Sequence, residues 1–295
     1  MVWFWRILLL ATVTLVIVPG IAVAQTIKVG SKNFTEQFIV AEIYAAALEN
    51  AGFKVERKIN LGGTLIAQKA IEVGEIDLYP EYTGTALVAV LKAPVTSDPA
   101  AVFEQVKAYY EKTFALTWLK PANINNGYAI IVRPDTAAKY HLKTLADLGA
   151  GPSKDLVMGA GPEFLDRQDG LPGLKAVYGV EFKEFKQFAK LGLRYDALAA
   201  KQIDVANGFA TDWQIAEQKL VVLDDSKTLF PPYYLAPVIR IPTLQANPKI
   251  ATILEPVDAA LDNTTMRDLN AKVERDKDEP KEVAVAFLRS KGLIK

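Results

Sequence analysis

The stretch Glu75-Ile76-Asp77-Leu78-Tyr79-Pro80-Glu81-Tyr82-Thr83-Gly84-Thr85 decides how the chain is read. Ile76 to Tyr79 predicts a short strand. Pro80 has no N–H to give to a ladder, so it predicts the strand's end or an edge position. An acid, an aromatic and two hydroxyl residues follow, before an apolar helix opens at Ala86. Open α/β folds bind their ligands where a strand end hands such groups to a helix N-terminus. The stretch is echoed by Ile203-Asp204-Val205-Ala206-Asn207-Gly208-Phe209-Ala210-Thr211, where Ile-Asp-apolar recurs and Phe209 takes the place of Tyr82. Either two half-chains present an aromatic at one structural point, or a common strand ending has recurred by chance.

On the N-terminal side, Thr26 to Val29 reads as a strand leading through Gly30-Ser31-Lys32-Asn33-Phe34-Thr35-Glu36-Gln37 into a long apolar helix. Asn33 with Glu36 three residues on predicts a capping box. Lys32, just before that helix start, gains nothing from the macrodipole. It therefore either meets an anion or points to water. Val55 to Ile59 reads as a strand, and Gly62-Gly63 as a loop into a helix from Leu65 to Val73. Asp98-Pro99 starts another helix with cap and first-turn residues in order. Val102, Phe103, Val106, Tyr109 and Tyr110 form its expected apolar face.

On the C-terminal side, Pro121 to Gly127 is rich in turn residues and reads as a crossing, followed by a strand from Tyr128 to Val132. Strands and helices then alternate to about Leu223, which argues for parallel sheets in an α/β protein. Phe230-Pro231-Pro232-Tyr233-Tyr234 reads as a return crossing. A strand from Leu235 to Arg240 and a mainly helical tail, whose last helix opens at Pro280, complete the chain. The expected organisation is a first lobe from residues 25–126 plus 235–295 and a second lobe from 127–234. Crossings near residues 125 and 233 would hinge a cleft between them.

Composition narrows the function. The 295 residues are 51% hydrophobic, enough for two cored domains, and 34 basic residues balance 34 acidic ones. Bulk charge therefore gives no reason to expect a nucleic-acid partner. The absence of cysteine rules out disulfides and cysteine nucleophiles. A serine triad would have to use the one histidine, His141, which lies in a polar connector. Residues 1–24 carry a single charged side chain, Arg6, ahead of an apolar run, and end in Ala22-Val23-Ala24. That pattern predicts a secretory leader cut before Gln25. With no cysteine after it, no lipid anchor can form. The expected product is a soluble periplasmic monomer with no cofactor.

The residues at strand ends, crossings and helix starts predict the site. Tyr82, Tyr128, Phe209 and Tyr233 supply rings, Lys32 and Arg167 supply cations, and Thr85 supplies a hydroxyl. Converging rings suit a quaternary ammonium, which offers no N–H and is held by ring faces. A lysine and an arginine suit a carboxylate. Each residue also has an ordinary reading, the rings as core and Arg167 as the partner of Asp166 or Asp169.

The segments Gly30 to Gln37, Ile76 to Thr85 and Phe230 to Tyr233 resemble the glycine betaine/choline-binding proteins of osmoprotectant ABC transporters, the OsmF, ProX and OpuC type. The resemblance covers the chain after the leader, in order. It implies a two-lobe, type II solute-binding fold with the ligand between the lobes and a membrane permease of an ABC transporter as partner. It also implies an aromatic cage from Tyr82, Tyr128 and Tyr233, a ligand-side Thr85, and Lys32 and Arg167 as carboxylate binders. Phe209 stands where the family usually has Tyr, and Asn126 where some members have Asp. If the two cations converge on a carboxylate, glycine betaine should be preferred over choline, which would leave both unpaired. Rival readings are a binding protein for choline or another amino-acid-like zwitterion, and a periplasmic protein with a vestigial cleft. An enzyme on this scaffold lacks a visible nucleophile–base pair.

Overall fold

The computed structural model describes residues 26–295, so the leader reading of residues 1–24 lies outside the described residues. The strands form two five-stranded sheets. The first holds β1 (Ile27–Gly30), β2 (Val55–Lys58), β3 (Leu78–Tyr82), β4 (Leu116–Trp118) and β10 (Leu235–Arg240) in the order β2-β1-β3-β10-β4. The second holds β5 (Tyr128–Val132), β6 (Val157–Ala160), β7 (Glu184–Gln187), β8 (Val205–Phe209) and β9 (Val221–Val222) in the order β7-β6-β8-β5-β9.

The two orders superimpose element by element. Parallel β2, β1 and β3 correspond to parallel β7, β6 and β8. An antiparallel strand then follows, β10 in one sheet and β5 in the other. Tyr82 and Phe209 are the last residues of equivalent strands. The echo in the sequence is therefore a structural equivalence. The two antiparallel strands are the ones that the crossings deliver, and the crossings themselves run side by side. Asn125 bridges Tyr234, and the Asn126 and Leu235 N–H groups donate to the Tyr233 and Ile124 carbonyls at 3.0 and 3.1 Å.

Pro80 does not end its strand. β3 begins at Leu78 and runs through Pro80 to Tyr82 in the middle of the sheet, with Pro80 opposite Pro237 of β10. Thr83 N–H donates to Tyr234 on one side of this pair, and Arg240 N–H donates to Asp77 on the other. The alternation of an antiparallel ladder then puts the two prolines at a non-hydrogen-bonded position. Their missing N–H groups face away from each other, and on the Pro80 side β1 pairs only as far as Leu78. Two prolines in register thus cost the β3–β10 ladder nothing.

The first sheet is packed by α1 (Thr35–Asn50), which is buried nearly all round. Ile39, Ile43 and Leu48 lie in one core with Ile250, Leu254, Met266, Ala284 and Leu288 of the C-terminal helices Lys249–Ala259, Asn263–Glu274 and Pro280–Ser290. Complete burial of each such aliphatic side chain contributes about 1.5–3 kcal/mol. Asp98 caps the helix Pro99–Phe114 as expected, accepting from the Ala100 and Ala101 N–H groups at 2.9 and 3.3 Å. Its inner face is Val102, Val106 and Tyr110, whereas Tyr109, expected in the core, is 38% exposed. The Asn33–Glu36 capping box does not form: Phe34 is the N-cap residue, and no side chain caps α1. No helix among the described residues is long and apolar enough to cross a membrane.

Candidate functional site

One cavity of about 670 Å³ opens between the two sheets, and Lys32, Tyr82, Thr85, Tyr128, Arg167, Phe209 and Tyr233 all line it. These side chains come from just past the end of β1, the end of β3 and its following helical turn, the two crossings, the end of β8 and the C-terminal end of the short helix Pro162–Asp166 after β6. Sequence separation hides their proximity, and the shared topology of the two sheets creates it.

The rings make a connected wall. Phe34, which the motif reading left without a role, stacks on Tyr82 at 6.4 Å between centroids and on Phe209 at 6.1 Å. Tyr128 stacks on Phe209 at 5.3 Å and meets Tyr233 edge-on at 5.9 Å. Such offset and edge-on contacts are the favoured aromatic geometries. Tyr233 is seated by two glycines: a Cβ at Gly84 would come within 2.7 Å of its ring, and one at Gly127 within 3.2 Å. The Thr85 hydroxyl lines the cavity and makes no hydrogen bond among the described residues.

Both cations already have protein partners. Lys32 Nζ lies 2.5 Å from Glu81 Oε1, with both side chains buried, and 4.8 Å from the Tyr82 ring centroid. Glu81 also accepts the Tyr82 N–H at 2.6 Å and the Tyr79 hydroxyl at 3.2 Å. Arg167 donates through Nε and Nη2 to Asp169 at 2.8 and 2.5 Å, and its guanidinium lies 5.3 Å from the Tyr128 centroid. Asp169 is fully buried and also accepts the Tyr233 hydroxyl at 2.5 Å. Of the two neighbours offered by the ordinary reading of Arg167, Asp169 is the partner, and it is the buried link between Arg167 and Tyr233. Choline would therefore not leave two cations bare, and that part of the expected preference for betaine loses its premise. Arg167 Nη1, 3.9 Å from Glu163 Oε2, still has no hydrogen bond.

Behind the rings lies a carboxylate that the sequence reading assigned to a cap. Glu36 is buried and accepts from the Tyr82 hydroxyl at 2.7 Å and the Asn126 amide at 2.9 Å on one oxygen. Its other oxygen accepts from the Thr211 hydroxyl and from the Asn270 amide at 3.1 Å. Burial pushes its carboxyl above the usual value, against the pull of the Thr211, Tyr82 and Asn270 hydrogen bonds. Asn126 is explained by the same cluster: its amide donates to Glu36 while its oxygen accepts the Thr211 N–H at 3.1 Å. An Asp there would set two carboxylates against each other. Arg194, also unassigned by the sequence reading, pairs with Asp212 at 2.9 Å and lies 5.1 Å from the Phe209 centroid.

At the cleft mouth the lobes touch. Glu163, in the short helix Pro162–Asp166 that follows β6, accepts the Thr64 N–H at 2.5 Å and the Thr64 hydroxyl at 2.9 Å. Thr64 begins α2 (Thr64–Glu72), whose N-cap is Gly63 and has no side chain to offer. Glu163 thus caps a helix of the opposite lobe, where its negative charge also suits the helix dipole.

The family model described as the substrate binding domain of ABC-type glycine betaine transport systems matches residues 25–290. The chain belongs to this family. Among the substrate-binding proteins it resembles, a glycine-betaine-binding protein of Pseudomonas aeruginosa is 36% identical over 285 residues, covering 93% of this chain and 91% of that one. The Helicobacter pylori ergothioneine transport permease/ergothioneine binding protein EgtU is 36% identical over 287 residues, 97% of this chain, and the chain spans 51% of its length. A solved structure described as a glycine betaine/carnitine/choline ABC transporter covers 91% of this chain and 100% of its own, with a TM-score of 0.74 and 31% identity. The family is a solute-binding one, and its two-lobe fold is the one seen here.

Proposed function

We propose that this chain is the extracytoplasmic binding component of an ABC importer, taking a glycine betaine-like quaternary amine into the cleft and delivering it to a membrane permease. The observation that carries the reading is the connected aromatic wall of one interlobe cavity, with the Thr85 hydroxyl and Arg167 Nη1, neither hydrogen-bonded among the described residues, on its lining beside the rings. The trimethylammonium head lies against the ring faces, each worth about 0.5–2 kcal/mol, and the carboxylate takes Arg167 Nη1 and the Thr85 hydroxyl. Lys32 and Asp169 hold Tyr82, Tyr233 and Arg167 in place through the Glu81 and Arg167 ion pairs. The lobes, residues 25–126 with 235–295 and residues 127–234, hinge at the paired crossings, which fits their sheet membership.

Titration calorimetry on folded variants tests this. Tyr82→Ala and Tyr233→Ala should each weaken glycine betaine about tenfold, while Tyr109→Ala, at an exposed helix position away from the cavity, should not. Unchanged affinity in both ring variants removes the reading. The names of the relatives favour a second one, in which the ligand is carnitine, ergothioneine or the cation choline. A thermal-shift comparison across these solutes separates the two, and no shift with any of them would favour a cleft without a transported ligand.

A further inference from the structure

The cavity is larger than a glycine betaine requires. A volume of about 670 Å³ lies in the range of clefts that enclose drug-sized ligands. Glu163 already bridges the lobes at Thr64, so the space remains with this cleft contact made. Beyond the rings the wall is apolar. Leu65 and Ile66, in the first turn of α2, are 64% and 58% exposed and line the cavity together with Val88, Ala89 and Ala93. Large aliphatic side chains left that open on the lining of a ligand cavity await an apolar occupant.

Charge supplies the direction. Of the cations on this lining, Lys32 and Arg167 are engaged by Glu81 and Asp169, whereas Lys92 makes no hydrogen bond or ion pair among the described residues. Lys92 ends the π-helix Ala86–Leu91 that continues from Thr85. It lies seven positions after Thr85, about 10 Å along a helix axis. The other unengaged charge on the lining, Asp166, adjoins Arg167 at the ring end.

We propose that the site is built for a longer zwitterion than glycine betaine: a trimethylammonium head on the rings, an apolar body across Leu65, Ile66 and Val88, and an anionic end at Lys92. This deepens the quaternary-amine reading and rests on it. An extended chain of about six methylenes spans the distance set by the helix rise. The short carboxylate of glycine betaine stops at Arg167 and Thr85.

The test is calorimetry with three ω-trimethylammonio carboxylates, the acetate (glycine betaine), the butanoate and the heptanoate. Burying the chain should make the heptanoate bind about tenfold tighter than the acetate, after the loss of chain freedom is allowed for. Lys92→Ala should lower the heptanoate-to-acetate affinity ratio about tenfold, Lys92→Arg should restore it, and Ile66→Ser should lower it without touching a charge. A heptanoate that binds no tighter than the acetate overturns the proposal, as does a ratio unmoved by Lys92→Ala and Ile66→Ser together. A neutral chain of the same length binding as tightly as the heptanoate would remove Lys92's role. If the acetate itself does not bind wild type, the quaternary-amine reading fails first and the longer ligand falls with it.

Discussion

Glu36→Ala should be the most damaging single change near the site. The side chain supplies the acceptor for four buried donors, from Tyr82, Asn126, Thr211 and Asn270, that are far apart in the chain. After truncation the Asn270 amide keeps a second acceptor, the Thr211 carbonyl at 3.2 Å. The Tyr82 hydroxyl, the Thr211 hydroxyl and the Asn126 amide keep none. A buried polar group left unpaired costs about 1–3 kcal/mol, so three give an upper range of about 3–9 kcal/mol. Water entering the vacated space recovers part of this. The expected loss is about 3–5 kcal/mol, a large share of the stability of an ordinary domain. Urea unfolding should show it as a lower midpoint with an unchanged slope. Glu36→Gln should cost far less, because a hydroxyl can reverse and the Asn270 Oδ1, now without a partner, can turn to meet the new amide. The pH dependence follows from the same burial. The native carboxyl titrates above its usual value near 4.5, so the native state binds the proton more tightly than the unfolded chain does. Its contribution is complete below pH 4.5 and is lost as pH rises through the native value, with a slope of at most about 1.4 kcal/mol per pH unit. Wild type minus Glu36→Gln stability should therefore fall with rising pH. A loss under about 1 kcal/mol for Glu36→Ala, or a difference flat from pH 4 to 8, refutes the reasoning.

Three further outcomes are expected. Glu163→Ala removes the cap that the second lobe lends to α2, and small-angle scattering of the ligand-free protein should show a larger radius of gyration; an unchanged profile means the contact does not hold the lobes. Burial raises the Asp258 carboxyl well above its usual value, and its Oδ2 has no partner while Oδ1 accepts the Tyr44 hydroxyl at 2.7 Å. Asp258→Asn should therefore improve relative to wild type as pH rises through the native Asp258 value, and a parallel pair of stability curves would contradict this. Mass spectrometry of the exported protein should give Gln25 as its first residue, and an intact Met1 would rule out cleavage.

The local rules carried the strand–helix alternation, both crossings, the Asp98 cap and strand β10, because each depends on neighbours a few residues apart. The seven residues picked out at strand ends, crossings and helix starts line one cavity for a different reason: the two-lobe topology brings those points to one cleft. Only the tertiary structure decided what those residues touch. Pro80 crosses a central strand because Pro237, far along the chain, faces it at a position where the β3–β10 ladder uses neither N–H. Tyr109 is turned outward because the inner face of its helix is filled by Val102, Val106 and Tyr110. Lys32 meets Glu81, Arg167 meets Asp169, and Glu36 gathers donors from residues 82, 126, 211 and 270 instead of capping its own helix. A cap and a buried hub use the same carboxylate. Sequence spacing registers the first, whereas the second exists only once distant segments have excluded water around it and made every unpaired donor costly.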